Sequence, residues 1–116
     1  FIGTDIVEVD RINELLSRSG QSFKNRVFTT PEQKYCDSKS SPSIHYAGRF
    51  AAKESIIKAV KSSGYKNPIP FKDIEILPSD IGAPLVSLHF ILKCECKVSI
   101  SHTKSHATAS ALYIQK

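Results

Sequence analysis

Glu54 and Lys58 stand four residues apart in the run Arg49-Phe50-Ala51-Ala52-Lys53-Glu54-Ser55-Ile56-Ile57-Lys58, where most neighbours are small or apolar. On a helix, residues three and four apart share a face, so Ala47, Ala51, Glu54 and Lys58 form one ridge with Phe50 beside it. A charge on such a ridge is costly unless something binds it. The alternative is an exposed ion pair of the kind that supports many surface helices by about 0.2–0.5 kcal/mol. Two further runs carry chemistry-bearing side chains: Gly3-Thr4-Asp5-Ile6-Val7-Glu8-Val9 near the start and Ser99-Ile100-Ser101-His102-Thr103 near the end.

The elements that must position these residues read as helices first and strands later. Ile2 to Val9 is short, β-branched and interrupted by Gly3, which predicts a strand bearing Asp5. Asp10 can cap a helix through Ile12, Leu15 and Leu16, stopped by Gly20. Thr30, Pro31 and Gln33 predict a capped start to a short helix through Tyr35, and the serine-rich stretch 38–43 a loop. A long helix over 44–63 ends at Gly64, and strands follow at 74–77, 85–92, 96–101 and 107–114. Val86, Leu88, Phe90 and Leu92 alternate, while Leu85 and Ile91 on the other side make that strand largely buried. The fold class is α+β, a long central helix on a small, mostly antiparallel sheet, in one domain spanning residues 1–116.

With 16 Lys and Arg against 11 Asp and Glu, the net charge of +5 favours an acidic partner without choosing among nucleic acid, a phosphorylated cofactor and an acidic protein. Cys36, Cys94 and Cys96 are an odd set, which argues against a disulfide framework, and no second cysteine pair supports a zinc site. They read as small buried hydrophobes in a reducing compartment. No run approaches the length of a membrane span, so the expectation is a soluble, cytoplasmic protein. The absence of any Met, an initiator included, suggests that residues preceding Phe1 are missing.

In their order and separation, the three runs resemble the holo-(acyl carrier protein) synthases, the single-domain phosphopantetheinyl transferases. Arg26-Val27-Phe28-Thr29, Phe71-Lys72-Asp73-Ile74-Glu75-Ile76 and Gly82-Ala83-Pro84 extend the resemblance over nearly the whole chain. It implies transfer of 4′-phosphopantetheine from coenzyme A to a serine of apo acyl carrier protein, with release of adenosine 3′,5′-bisphosphate, in fatty acid biosynthesis. It implies a magnesium ion held by Asp5 and Glu54, consistent with an ion that takes one or two carboxylates plus phosphate and water. Lys58 would stabilise the leaving group, and Glu54 or a metal-bound water could accept the serine proton. Arg49 and Lys53, one turn apart, would line a polyanion path for the third phosphate of coenzyme A, with a solvated helix face as the alternative. His102, with Ser101 and Thr103, would meet the cofactor phosphates.

The resemblance also implies docking of an acidic carrier helix on Arg11, Leu15, Arg18, Phe23 and Arg26, with Lys24 in the same basic cluster. A homotrimer with each coenzyme A site between neighbouring subunits is implied as well. After Gly64, Tyr65-Lys66-Asn67-Pro68 stand where relatives often have more glycine. His45, His89 and His106 receive no role, and the spacing His102-x-x-x-His106 gives only a weak metal reading, since magnesium prefers oxygen to imidazole. Two other readings stand beside this one. A basic RNA-binding domain lacks an aromatic platform here, and a metal-dependent phosphohydrolase would use Asp5 and Glu54 with water as acceptor.

Overall fold

The computed structural model describes every residue from Phe1 to Lys116. Strand β1 (Ile2–Glu8) is followed by helices α1 (Val9–Val27), α2 (Thr30–Asp37) and α3 (Pro42–Ser62). A 3-10 turn at Phe71–Asp73 then leads into β2 (Ile74–Pro78), β3 (Pro84–Leu88), β4 (Cys94–His102) and β5 (His106–Gln115). The α+β class is as the sequence predicts. Every strand pair is antiparallel, and the strands form two sheets, β1-β5-β4 and β2-β3, rather than one.

Strand alternation sends Gly3, Asp5 and Val7 of β1, the buried Ala107, Ala109, Ala111 and Tyr113 of β5, and Val98 and Ile100 of β4 to one face. Helix α3 lies across that face and meets it with Ala47, Ala51, Ala52, Ser55 and Ala59, all of them buried. Small residues on both sides allow a close approach. At Gly3 the approach is extreme: a Cβ there would stand 1.9 Å from the Ser55 carbonyl oxygen and 2.7 Å from the Ala59 nitrogen. Helices α1 and α2 cover the other side of α3, where Ile12, Phe28, Tyr46, Ile56, Ile74 and Ile76 are fully buried. Burying each such large side chain is worth about 1.5–3 kcal/mol.

Several boundaries differ from expectation for local reasons. Gly20 does not end α1. It takes φ +47°, a conformation costly for residues with a Cβ, and the helix resumes beyond the kink to Val27. Glu8 rather than Asp10 occupies the N-cap, and Asp10 sits in the first turn, where its charge favours the helix dipole. The cap of α2 is Thr29, not Thr30: its hydroxyl accepts from Glu32 N while the Glu32 carboxylate accepts from Thr29 N, a reciprocal capping box. Helix α3 begins at Pro42, inside the stretch expected to be loop, because proline fits the first turn. Strand β3 stops at Leu88, since its only partner, β2, begins at Ile74 opposite it. Leu85 and Leu92 are exposed, so the expected burial of a long strand does not occur.

Candidate active site

Asp5 and Lys58 meet because β1 turns its odd residues toward α3. The Lys58 ammonium donates to Asp5 Oδ1 at 3.2 Å and to the Thr4 carbonyl at 2.9 Å. Glu54, one turn back on α3, belongs to the same electrostatic cluster. Burial pushes its carboxyl pKa up from the ordinary value, and the Asp5 charge adds to this, while Lys58 and then Arg11 of α1 pull the other way. Four charges from three elements therefore share one field, at the place where Gly3 lets the strand touch the helix.

Asp5 and Glu54, two carboxylates whose charges repel, could hold a cation. No group of three or more His, Cys, Asp and Glu side chains has metal-binding geometry. That excludes a closed all-protein cage but suits magnesium, which uses one or two carboxylates and leaves its other positions to water and phosphate. The hard oxygen donors of Asp5 and Glu54, and the repulsion a divalent ion would relieve, fit such an ion.

A second polar space lies toward the start of α3. A cavity of about 310 Å³ is lined by Tyr35, His45, Arg49, Ser99 and His102, among others. Arg49 is 7% exposed, and its Nε has no hydrogen-bond partner. Its guanidinium rests 4.2 Å from the centre of the Tyr35 ring. His102, last residue of β4, continues the parity of Val98 and Ile100 and reaches the same space. Ser101 and Thr103 are exposed and line an adjacent depression together with His102 and His106. The Thr103 hydroxyl oxygen also accepts from Ser105 N and His106 N at 3.2 and 3.1 Å, closing the β4-β5 turn.

Lys53 does not join this space, which corrects its expected place on a polyanion path. Its side chain is fully buried on the side of α3 facing α1 and α2. Its ammonium donates to Glu32 Oε1 at 2.7 Å, to the Val27 carbonyl at 2.8 Å and to the Phe71 carbonyl at 3.0 Å. All three protons are engaged, so none is left for a ligand. Burial lowers the Lys53 pKa from its ordinary value, with Glu32 opposing.

On α1, Arg11, Arg18 and Arg26 are exposed and Leu15 is half-buried, leaving a basic face with an apolar centre. Phe23 is not part of it. Its ring is 2% exposed and packs edge-on against Phe28 with centroids 5.8 Å apart. Lys24 pairs with Asp37 at 3.2 Å. Burial raises the Cys36 thiol to about 12 and the Cys96 thiol to about 11, as inert side chains require, and all three cysteines are unpaired. His45, which precedes Arg49 by one helical turn, also lines the cavity.

The model of the 4′-phosphopantetheinyl transferase superfamily matches residues 1–111. The chain belongs to this superfamily. Among curated relatives, the holo-[acyl-carrier-protein] synthase of Protochlamydia amoebophila is 43% identical, with 97% of this chain and 95% of the relative covered. That of Chlorobaculum parvum is 44% identical, with 96% and 95% covered. Solved transferase structures share the fold. The ACPS-CoA complex from Chronobacterium ammoniagenes superposes with a TM-score of 0.84 at 33% identity, covering 99% of this chain and 96% of that one. The Helicobacter pylori holo-[acyl-carrier-protein] synthase in complex with coenzyme A gives 0.84 at 32% identity, covering 97% and 99%.

Proposed function

We propose that this chain, as one domain over residues 1–116, is a holo-(acyl carrier protein) synthase. It moves 4′-phosphopantetheine from coenzyme A to a serine of apo acyl carrier protein, in the service of fatty acid biosynthesis in the cytoplasm. The observation that carries this reading is the convergence of Asp5, Glu54 and Lys58 in one polar cluster, with Arg49 and His102 on a cavity of the same chain. No helix is long and apolar enough to cross a membrane.

In the reaction, the serine oxygen bonds to the β-phosphorus of coenzyme A as the bond from that phosphorus to the bridging oxygen breaks. Adenosine 3′,5′-bisphosphate leaves with the bridging electrons, and the serine proton passes to a base at the carboxylate cluster. Asp5 and Glu54 would hold magnesium, which when bound would offset charge on the pyrophosphate. Lys58 exchanges its contact with Asp5 for the phosphates and stabilises the charge growing on the leaving group. Arg49 and His102 receive the 3′-phosphate of coenzyme A, with Ser101 and Thr103 beside them.

The carrier protein, acidic where this chain is basic, docks on Arg11, Leu15, Arg18 and Arg26, and charge complementarity mainly speeds and orients the encounter. Three copies assemble, with each site completed by a neighbour. The outer face of β1-β5 supports this: Ile2, Ile6, Leu112 and Ile114 are 69, 67, 44 and 43% exposed, more apolar surface than a lone sheet face needs to show water. The test is the intact mass of apo acyl carrier protein incubated with this protein, coenzyme A and magnesium. A gain the size of phosphopantetheine that disappears with a chelator is expected. No gain with several folded apo carriers would overturn the reading and favour hydrolysis of the same pyrophosphate by water.

A further inference from the structure

His45 stands in α3 one turn before Arg49, and its half-buried ring lines the same cavity as Arg49 and His102. The centroids of the two imidazoles are 6.2 Å apart, and the His45 ring meets Tyr35 edge-on at 5.9 Å. Tyr35 in turn holds two cations on its ring, Arg49 at 4.2 Å and Lys39 at 4.6 Å. None of the residues lining the cavity is a carboxylate. The buried guanidinium of Arg49 takes part in none of the ion pairs of the chain, and its Nε is unpartnered. A space with one fixed buried cation, two imidazoles and no acid is built for an anion with more than one charge.

We propose that His45 is a third ligand of the terminal phosphate in this cavity, and that it takes up a proton from solvent when the phosphate binds. This rests on the reading that the cavity receives the 3′-phosphate of coenzyme A, and it adds a residue and a proton to that reading. The ionisable groups facing His45 are Tyr35 of α2, Lys39 just beyond it, Arg49 on its own helix and His102 of β4; Gly82 and Pro84, across the cavity, bring none. In the free protein, burial first and then Arg49, Lys39 and His102 depress the pKa of His45, so the ring is neutral at pH 7. A phosphate dianion beside it reverses the sign of that field and favours the imidazolium. Binding of a 3′-phosphorylated nucleotide therefore strengthens as pH falls through the bound-state pKa of His45, and it levels off below the free-state value.

The experiment is titration calorimetry of the whole protein with adenosine 3′,5′-bisphosphate and with adenosine 5′-phosphate near pH 7, in buffers of different ionisation enthalpy. His45→Phe keeps a ring against Tyr35, His45→Gln keeps a polar group, and thermal melts establish that each variant is folded. Wild type should prefer the bisphosphate and absorb protons on binding it. Both variants should lose the larger part of that uptake, and about tenfold of the preference, the equivalent of one charge-assisted hydrogen bond. If the wild-type preference and uptake persist in both variants, or vanish only in His102→Gln, the role of His45 is overturned while the phosphate reading stands. If wild type does not distinguish the two nucleotides, the phosphate reading itself fails and takes this inference with it.

Discussion

The Lys58 ammonium sits 3.2 Å from Asp5 Oδ1, and its charge also pulls down the pKa of Glu54, which burial and then Asp5 raise. A lysine so placed both competes with a metal and stands ready for a phosphate. Lys58→Met should therefore move two observables in opposite directions. Magnesium binding should tighten by up to about fivefold, the worth of a partly exposed ion pair. Transfer to the carrier should fall by roughly 100- to 1000-fold, the usual cost of losing one charge that faces the leaving group. Metal titration by thermal shift and turnover by intact mass read the two effects separately. A variant that loses metal binding would instead make Lys58 a support for the site's shape.

Glu54 carries a cost in the folded protein, since burial disfavours its charge. Because its folded pKa lies above the ordinary carboxyl value, the folded state holds more of this proton than the unfolded chain does. Stability from this group is thus greatest below the unfolded pKa and declines as pH rises through the folded one. Glu54→Gln should raise the melting temperature at neutral pH, and the gain should shrink toward pH 4. It should also abolish metal-dependent transfer with the fold intact. Magnesium should stabilise wild type and leave the variant unmoved, which melting curves with and without the ion would show.

Asp5, Glu54 and Lys58 stand out in the sequence through the resemblance of the three runs, and an alternating strand and a ridge of a long helix bring them together. Residues set by distant partners were not legible. Arg49 and Lys53 are one turn apart, yet one lines a cavity and the other is sealed beneath Val27, Glu32 and Phe71, groups that only the packing of α1, α2 and the 3-10 turn assembles. Phe23 was misplaced for a related reason, since Phe28 beyond the helix and Phe50 of α3 set its burial. The capping box of α2 is Thr29-x-x-Glu32, one residue earlier than Thr30 and Gln33 suggest, because Pro31 takes the second helical position rather than the first. The end of β3 depended on the length of its partner, which its own alternating apolar residues could not report.

Gly3 links the fold to the site. Its Cβ would enter the Ser55 carbonyl at 1.9 Å, and backbone on both sides leaves no side chain to swing away. Gly3→Ala must push β1 off α3, and Asp5, two residues on, moves with the strand. The expected result is a loss of several kcal/mol of stability, the scale of severe overpacking, and a weaker response to magnesium in whatever protein remains folded. Equilibrium denaturation with and without magnesium separates the two effects. A fully stable variant with normal turnover would show that this contact can open without consequence.

The Lys53–Glu32 pair tests whether burial has removed Lys53 from the chemistry. Glu32 holds Lys53 with Oε1 and accepts from the Ile76 nitrogen at 2.9 Å with Oε2, so a single carboxylate ties α2, α3 and β2 together. Removing either partner leaves a buried charge without its complement, at about 3–5 kcal/mol. Lys53→Met should be destabilised on that scale, and so should Glu32→Gln. The double variant Lys53→Met, Glu32→Leu should recover part of the loss, because two apolar groups need no pairing. Turnover per folded molecule and KM for coenzyme A should remain near wild type in Lys53→Met below its melting temperature. A large rise in that KM, with the fold intact, would return Lys53 to the cofactor site.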